Sequence, residues 1–208
     1  LGGCLMGSVR LYGATSGYLE LQAPDVAPDS TLVLPSDSVQ PGLVHLHTET
    51  FSAVSSVSVD DVFSAKYDSY KVIVSEYTPS VTGTTTDWKM RASSTDESSS
   101  NYWYAGIIIN TNGTLGAYTS GGSPATDGFI SQTSAISGFG SLTIDFLNPF
   151  QAIATRFSST GFGYQGGSNR GTWIEGSLNT ATSYDGFTLS IASGTMSGSL
   201  RIYGYRNN

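Results

Sequence analysis

The sequence predicts an all-β protein in which a short N-terminal β-ribbon is followed by an antiparallel, jelly-roll-like β-sandwich. The first reason is that helical periodicity is nearly absent, whereas short alternating segments follow one another between Gly, Ser, Asn and Pro. The second is composition, because only 12% of the 208 residues are charged while 12 Tyr and 9 Phe supply apolar bulk. Thr and aromatic side chains suit a pleated surface, and glycine suits turns.

The predicted ribbon comprises residues 1–40. Three short alternating strands are expected between Gly7 and Pro35. A polar ribbon of this kind has little apolar surface to bury by itself, so we expect it to pair with other chains or to attach to another surface. Residues 35–42 have the turn chemistry of a linker. The sequence therefore predicts an assembly or attachment segment at residues 1–40 and a sandwich domain at residues 41–208.

The second part contains a series of predicted strands with turns between them. The strands are expected at residues 43–54, 70–77, 87–93, 102–110, 115–118, 129–136, 141–147, 151–158, 172–178, 187–191 and 198–204. In the third of these, Trp88 and Met90 alternate with Lys89 and Arg91, which predicts one buried and one exposed face. The last strand is expected to be paired on both sides. Residues 60–66 are the best candidate for a single helical turn.

Charge and composition exclude several classes of function. The formal net charge of −7 and the pI near 4.5 argue against nucleic-acid binding, because phosphate neutralisation needs basic residues. No apolar run approaches the roughly 20 residues that cross a bilayer, so no membrane insertion is expected. Cys4 is the single cysteine of the sequence, which excludes a disulfide within the chain.

Candidate catalytic and metal-binding groups are sparse. His45 and His47 are the candidate metal ligands, because residues spaced i, i+2 on a regular strand point the same way. The alternative for both is the polar outer face of a strand. No Gly-x-Ser-x-Gly elbow is present, and turns and caps explain carboxylates such as Asp60, Asp96 and Asp185. The sequence therefore predicts neither enzymatic activity nor a cofactor.

Aromatic residues form the candidate contact surface. They are Tyr102, Tyr104, Phe162, Tyr164, Trp173 and Tyr184. Three of them lie in or beside the glycine-rich residues 161–171, which are predicted to be a loop. Exposed Tyr and Trp rings stack on sugars, because their faces are apolar while their edges form hydrogen bonds. Such a cluster would contact a glycan or another receptor, whereas packing in the sandwich core is the alternative.

Two parts of the chain resemble proteins of tailed bacteriophages. Residues 7–24, Gly-Ser-Val-Arg-Leu-Tyr-Gly-Ala-Thr-Ser-Gly-Tyr-Leu-Glu-Leu-Gln-Ala-Pro, followed by Thr-Leu-Val-Leu-Pro at 31–35, resemble a short module of phage fibre and virion structural proteins. Residues 62–74 and 196–204 resemble the start and the end of a phage β-sandwich domain. The resemblance implies a virion protein that oligomerises, commonly as a trimer, on a tail or a capsid. It implies no catalytic residue, although His-x-His pairs from three chains surround an ion in some phage fibres.

Three classes of function remain open. The first is a virion structural protein, either a tail-fibre or receptor-binding appendage or a decoration or fibre protein of the capsid. Its partners would be further copies of itself in a homotrimer, other virion proteins and a host-surface glycan. The second is a carbohydrate-binding module, for which residues 1–40 would have no role. The third is a polysaccharide-degrading enzyme, which would need a catalytic constellation. We expect the first, a non-enzymatic protein of the virion.

Overall fold

The computed structural model describes residues 8–12, 18–22, 42–133, 140–165 and 168–206. The chain divides into two compact units, Leu1–Val39 and Gln40–Asn208. In the first unit, β1 (Ser8–Tyr12) and β2 (Tyr18–Gln22) pair as an antiparallel ribbon. The third strand predicted for this part, at residues 31–35, lies outside the described residues.

The second unit is built from strands. They are β3 (Leu43–Val54), β4 (Ser56–Val59), β5 (Ser69–Pro79), β6 (Thr84–Ala92), β7 (Thr95–Asp96), β8 (Tyr102–Asn110), β9 (Leu115–Thr119), β10 (Gly128–Thr133), β11 (Gly140–Leu147), β12 (Thr155–Gln165), β13 (Ser168–Leu178), β14 (Gly186–Ile191) and β15 (Met196–Tyr205). The large, eight-stranded sheet has the order β3-β15-β5-β11-β12-β13-β8-β9. The small, five-stranded sheet has the order β10-β6-β14-β4, with β7 paired to β6. All pairs are antiparallel, and no helix occurs in the part of the chain that the structure describes. The prediction of an all-β fold, with a ribbon followed by an antiparallel β-sandwich, is confirmed.

Period-two alternation decides which face of each strand is buried. In β6, Thr86, Trp88 and Met90 are buried, whereas Lys89 and Arg91 lie on the opposite, partly exposed face. The sequence predicts this alternation for the strand. β15 lies between β3 and β5, so the prediction that the last strand is paired on both sides is also confirmed.

Trp88 lies at the centre of the core between the two sheets. Its side chain is fully buried and contacts three aromatic rings edge-on. The centroid distances are 5.3 Å to Tyr102, 4.8 Å to Phe146 and 4.9 Å to Phe157. Each such pair contributes about 1 kcal/mol beyond the burial of its apolar surface. Because Trp88 belongs to the small sheet and its three partners to the large one, these contacts hold the two sheets together.

Residues 60–66 form no helical turn, so that prediction is wrong. The segment is irregular, and the amides of Val62 and Phe63 donate to the carbonyl oxygen of Asp185 at 2.9 and 3.0 Å. The ring of Phe63 is buried and lies 4.6 Å from the ring of Tyr70. Contacts with distant residues therefore fix this segment, and no local helix is needed.

Of the glycine-rich stretch 161–171, the described residues 161–165 and 168–171 are strands rather than a loop. β12 continues through Gly161 to Gln165, and β13 begins at Ser168, so most of the predicted loop is a strand pair. A Cβ atom on Gly161 would lie 2.7 Å from Oγ1 of Thr172 in β13 and 2.9 Å from Oγ of Ser131 in β10, which approaches β12 and β13 closely. Glycine at this position therefore leaves room for side chains from β13 and from the small sheet.

Candidate binding surface

The outer face of the large sheet carries exposed aromatic and aliphatic residues. Paired residues point to the same face, so the strand register shows which side chains are neighbours. Two adjacent rows cross β12, β13, β8 and β9: Phe162, Gly171, Ile109 and Leu115 in one, and Thr160, Trp173, Ile107 and Ala117 in the next. Phe162, Trp173 and Leu115 are 50%, 54% and 68% exposed, and neither row contains a charged residue. We call Ile107, Ile109, Leu115, Phe162 and Trp173 the apolar patch.

Contiguity distinguishes the apolar patch from ordinary surface. Single exposed apolar residues are common on soluble proteins, whereas neighbouring ones mark binding sites. In β8, Ile108 points inward and is buried while Ile107 and Ile109 point outward, so this end of the strand is apolar on both faces. Strands with this pattern are typical of sheets that are covered on both sides. The outward-facing half of this pattern makes the apolar patch a candidate contact surface.

A groove lies beside the apolar patch, between two exposed tryptophans. One cavity of about 510 Å³ is lined by Trp103 and Arg156, and another of about 340 Å³ is lined by Trp173. Ala105 and Glu175 line both cavities, so the two form one continuous depression along β8 and β13. We call this depression, with its residues Trp103, Ala105, Arg156, Trp173 and Glu175, the indole groove.

Two glycines fix the backbone beneath the indole groove. A Cβ atom on Gly176 would lie 2.1 Å from the carbonyl oxygen of Trp103, and one on Gly106 would lie 2.1 Å from that of Trp173. No side chain tolerates such distances, so β8 and β13 approach each other in a way that only glycine permits. The positions of both tryptophan backbones therefore depend on these glycines.

The charged groups of the indole groove have no partner within the described residues. Arg156 and Glu175 are exposed on adjacent strands, and neither side chain forms a hydrogen bond or an ion pair there. Other charged side chains on the same face have partners: Nζ of Lys71 lies 2.8 Å from Oδ2 of Asp145, which also accepts a hydrogen bond from the Tyr205 hydroxyl at Oδ1 (2.6 Å), and Arg201 donates a hydrogen bond to the Ser75 hydroxyl at 3.2 Å. The groove therefore offers a free anionic acceptor and a free cationic donor beside two indoles.

Two of the predicted contact residues lie in the core. Tyr102 is fully buried, and its hydroxyl accepts a hydrogen bond from the Met90 amide at 3.1 Å and donates one to the Glu97 carbonyl oxygen at 2.9 Å. Tyr184 is 1% exposed, and its hydroxyl lies 2.6 Å from Oγ1 of Thr180. Burial raises the pKa of both hydroxyls. These rings pack inside the sandwich, which removes them from the candidate contact surface.

The other four predicted aromatics divide between the two faces of the large sheet. Tyr104 is half-buried and stacks on the ring of Phe129 at 5.7 Å. Phe162, Tyr164 and Trp173 lie on the outward positions of β12 and β13, and Phe162 and Trp173 belong to the apolar patch. The structure adds a residue that the sequence analysis missed, because Trp103 also points outward. The signal was the alternation along Tyr102-Trp103-Tyr104, which gives Trp103 the face opposite its two neighbours.

The two histidines do not point the same way. β3 pairs with β15, and the register places His45 opposite Tyr203 but His47 opposite Ile202, with a β-bulge at Leu46 between them. His45 therefore shares the outer face with Tyr203, whose ring lies 5.4 Å away, while His47 shares the inner face with the buried Ile202. The predicted metal pair requires a regular strand, on which residues i and i+2 point the same way. The strand is not regular between His45 and His47, so this prediction of their common direction is wrong.

The contacts of the two histidines differ accordingly. Nε2 of His45 lies 2.8 Å from Oγ1 of Thr48, and Nε2 of His47 lies 3.5 Å from Oε2 of Glu49. Nowhere in the described ranges do three or more His, Cys, Asp or Glu side chains come together in a way that could hold a metal ion. Within one chain, the two histidines do not converge on a common ion.

The carboxylates Asp60, Asp96 and Asp185, which the sequence assigns to turns and caps, all have contacts within the sandwich. Arg91 lies between two of them, with Nε 2.7 Å from Oδ1 of Asp60 and Nη1 2.5 Å from Oδ1 of Asp96. The guanidinium holds the pKa of Asp60 below its usual range. Oδ2 of Asp185 accepts a hydrogen bond from the Ser93 amide at 3.0 Å. These groups organise the end of the small sheet.

The fold and this surface define a class of protein, an antiparallel β-sandwich with an apolar, tryptophan-bearing outer sheet face. Comparison of the chain with protein-family models, with curated proteins and with solved structures found no match. Of the residues that the structure describes, none belongs to a helix long and apolar enough to cross a membrane. The outer face of the large sheet is therefore the candidate functional site.

Proposed function

We propose that this chain is a non-enzymatic structural protein of a tailed-phage virion. Residues 1–40 attach it to the particle or to neighbouring chains, and the β-sandwich contacts the host surface. The resemblance of residues 7–24 and 31–35 to a phage fibre module supports this proposal. The division of the chain into a small N-terminal unit and a large sandwich unit agrees with a mounting segment and a displayed domain.

The observation that carries the proposal is the apolar patch. In a chain with a net charge of −7, an exposed face with two uncharged rows is suited to contact by shape and apolar burial rather than by charge attraction. Trp173 is the most exposed of the aromatic residues on this face. Large exposed aromatics are typical anchors of binding surfaces.

The partners of the carboxylates favour binding over catalysis. A glycosidase needs two carboxyl groups that face one substrate. Here Asp60 and Asp96 both contact Arg91, and Asp145 contacts Lys71. The contacts of these three carboxylates are accounted for by the sandwich itself, which supports a structural and binding role.

Oligomeric state and location test the proposal. The purified full chain should elute as an oligomer, most simply a trimer, in size-exclusion chromatography with light scattering. Antibody-labelled particles should carry the chain in electron micrographs, on the tail for an attachment role or on the capsid for a decoration role. A monomer, or particles without label, would contradict the proposal.

Two variants separate mounting from host contact. A variant without residues 1–40 should lose attachment to the particle while it keeps the circular-dichroism spectrum of the sandwich. The matched variant Trp173→Asp should show the opposite result. It should remain attached to the particle, while adsorption of the particle to host cells should fall. If the truncated chain still attaches, the role assigned to residues 1–40 is wrong.

A further inference from the structure

We infer that the indole groove binds a neutral oligosaccharide, an inference that rests on the proposed contact with the host surface. Trp103 and Trp173 are exposed, and neither ring contacts another aromatic ring of the described residues. An indole has an apolar face and an N–H donor at its edge. A sugar ring has the matching arrangement, with C–H groups on its faces and hydroxyl groups around its rim.

The spacing of the two indoles fits a chain of sugars rather than a single ring. Trp103 is paired with Ser177, which lies four residues along β13 from Trp173. At about 3.4 Å per residue, the two tryptophan positions are about 14 Å apart along the strand. Ala105 lies between them, and its small side chain leaves the depression open. A ligand that contacts both indoles must therefore extend along β13.

The polar groups between the indoles match sugar hydroxyls. A hydroxyl both donates and accepts, so one ring can donate to the carboxylate of Glu175 and accept from the guanidinium of Arg156. Hydrogen bonds to charged groups are stronger than those between neutral groups. A purely apolar partner would cover these two unpaired charges without satisfying them, at a cost in free energy. The volumes of the two cavities, about 510 and 340 Å³, are those of ligand sites.

The charge of the protein selects a neutral glycan over an acidic one. The chain carries a net charge of −7, and Glu175 lines both cavities of the groove. A polyanionic saccharide would be repelled by this field. Binding of a neutral glycan through stacking and short hydrogen bonds should depend little on ionic strength, because no net charge is neutralised.

Tryptophan fluorescence and a glycan array test the inference. The sequence has three tryptophans, of which Trp88 is buried and the other two line the groove, so a ligand should protect Trp103 and Trp173 from iodide quenching. The full chain would be applied to an array of neutral and acidic bacterial surface oligosaccharides, and then titrated with cellohexaose, maltohexaose and chitohexaose. We expect at least one neutral glycan to bind, with a Kd that changes less than about twofold between about 50 and about 500 mM NaCl.

Substitutions connect the signal to the groove. Trp103→Ala and Trp173→Ala should each weaken binding by about tenfold or more, and Glu175→Gln by about tenfold. Ile153→Ala is the matched control, since Ile153 is an exposed apolar residue outside the groove and the patch. All four positions lie on the exposed surface, so each variant should keep a single cooperative thermal transition, with the largest decrease in Tm for Trp103→Ala because Trp103 is only 37% exposed.

Specific outcomes would overturn the inference. These are no binding to any glycan of the array, binding of acidic glycans alone, or an equal loss of affinity in the Ile153→Ala control. Dissociation of the oligomer by Trp173→Ala, with glycan binding intact, would assign the face to contacts between copies and would also overturn it. The proposed virion function is tested separately, by the location of the chain on virions. A failure of glycan binding therefore does not decide the virion function, and absence of the chain from virions does not decide glycan binding.

Discussion

Replacement of Asp87 by Asn should stabilise the protein at about pH 8 and leave its stability unchanged at about pH 3. Asp87 lies on β6 opposite Ser190 and Phe129, and burial raises the pKa of its carboxyl group from 3.8 to about 7. A hydrogen bond of 2.8 Å from Oγ1 of Thr85 lowers this pKa in part, while the nearby Asp127 raises it. The carboxylate form is therefore disfavoured in the folded protein.

The magnitude follows from the difference between the two pKa values. Below about pH 4 the carboxyl group is protonated in both states and contributes no pH dependence. Between about pH 4 and about pH 7 the unfolded chain releases the proton while the folded protein keeps it, so the free energy of unfolding falls as the pH rises. A difference of about three pKa units, at about 1.4 kcal/mol per unit, gives a loss of about 4 kcal/mol. Asn does not ionise, so the variant avoids this loss.

Urea unfolding of the wild type and the Asp87→Asn variant across this pH range measures the effect. At about pH 8 the variant should gain about 4 kcal/mol, or about 10 °C in Tm. Asp60→Asn is a control of opposite sign. The hydrogen bond with Arg91 lowers the pKa of Asp60, so the Asp60 carboxylate stabilises the fold above about pH 4, and this contribution is lost as the pH falls. The Asp60→Asn variant should therefore be less stable than the wild type at about pH 8. A gain of less than about 1 kcal/mol for Asp87→Asn at about pH 8, or an equal gain at both ends of the range, would refute the reasoning.

Three further substitutions test separate features. Gly176→Ala should lower the free energy of unfolding by about 2 kcal/mol or more, because the new Cβ atom would meet a carbonyl oxygen of β8. Gly171→Ala on the same strand is the control, since its Cβ atom would meet no atom within 4 Å and the free energy of unfolding should change little. Chemical denaturation compares the two variants. Arg91→Lys should cost about 1–3 kcal/mol in thermal unfolding, since an ammonium group does not bridge two carboxylates as a guanidinium does. Tyr102→Phe should cost about 1–3 kcal/mol, because a buried backbone amide loses its acceptor, yet it should leave glycan affinity unchanged in the same fluorescence titration.

Local alternation predicts the strands wherever one face is buried. The predicted bounds of β3 and β8 are those of the structure, and Trp88 and Met90 are buried as their alternation with charged residues requires. The segment 161–171 shows the limit of this reasoning. A glycine-rich stretch predicts a turn by itself, but here Gly161 leaves room for side chains of β13 and of β10, a strand about 30 residues earlier. No pattern within the segment contains that information.

The candidate site was only partly predictable for a similar reason. Alternation places Tyr102 and Trp103 on opposite faces of β8, but only the position of the small sheet decides which face is the core. The sequence therefore predicts Trp173 correctly as an outward-facing residue, but it predicts Tyr102 rather than Trp103 for the exposed face of β8. The histidines show the same dependence, because the bulge at Leu46 arises from the pairing of β3 with β15, about 150 residues later in the chain.

Among the described strands, β3 is paired with β15 alone. About 140 residues separate the two strands, so at roughly 5–20 residues per second a ribosome needs about 7–28 s to reach the partner after β3 is complete. During this time β3 has two unpaired edges, and its final contacts require closure of a very long loop. Synthesis that stops before residue 196 would thus release an aggregation-prone chain rather than a smaller sandwich. The sheet that displays the groove is completed late in synthesis, and its yield in a cell should be sensitive to chaperones and to temperature.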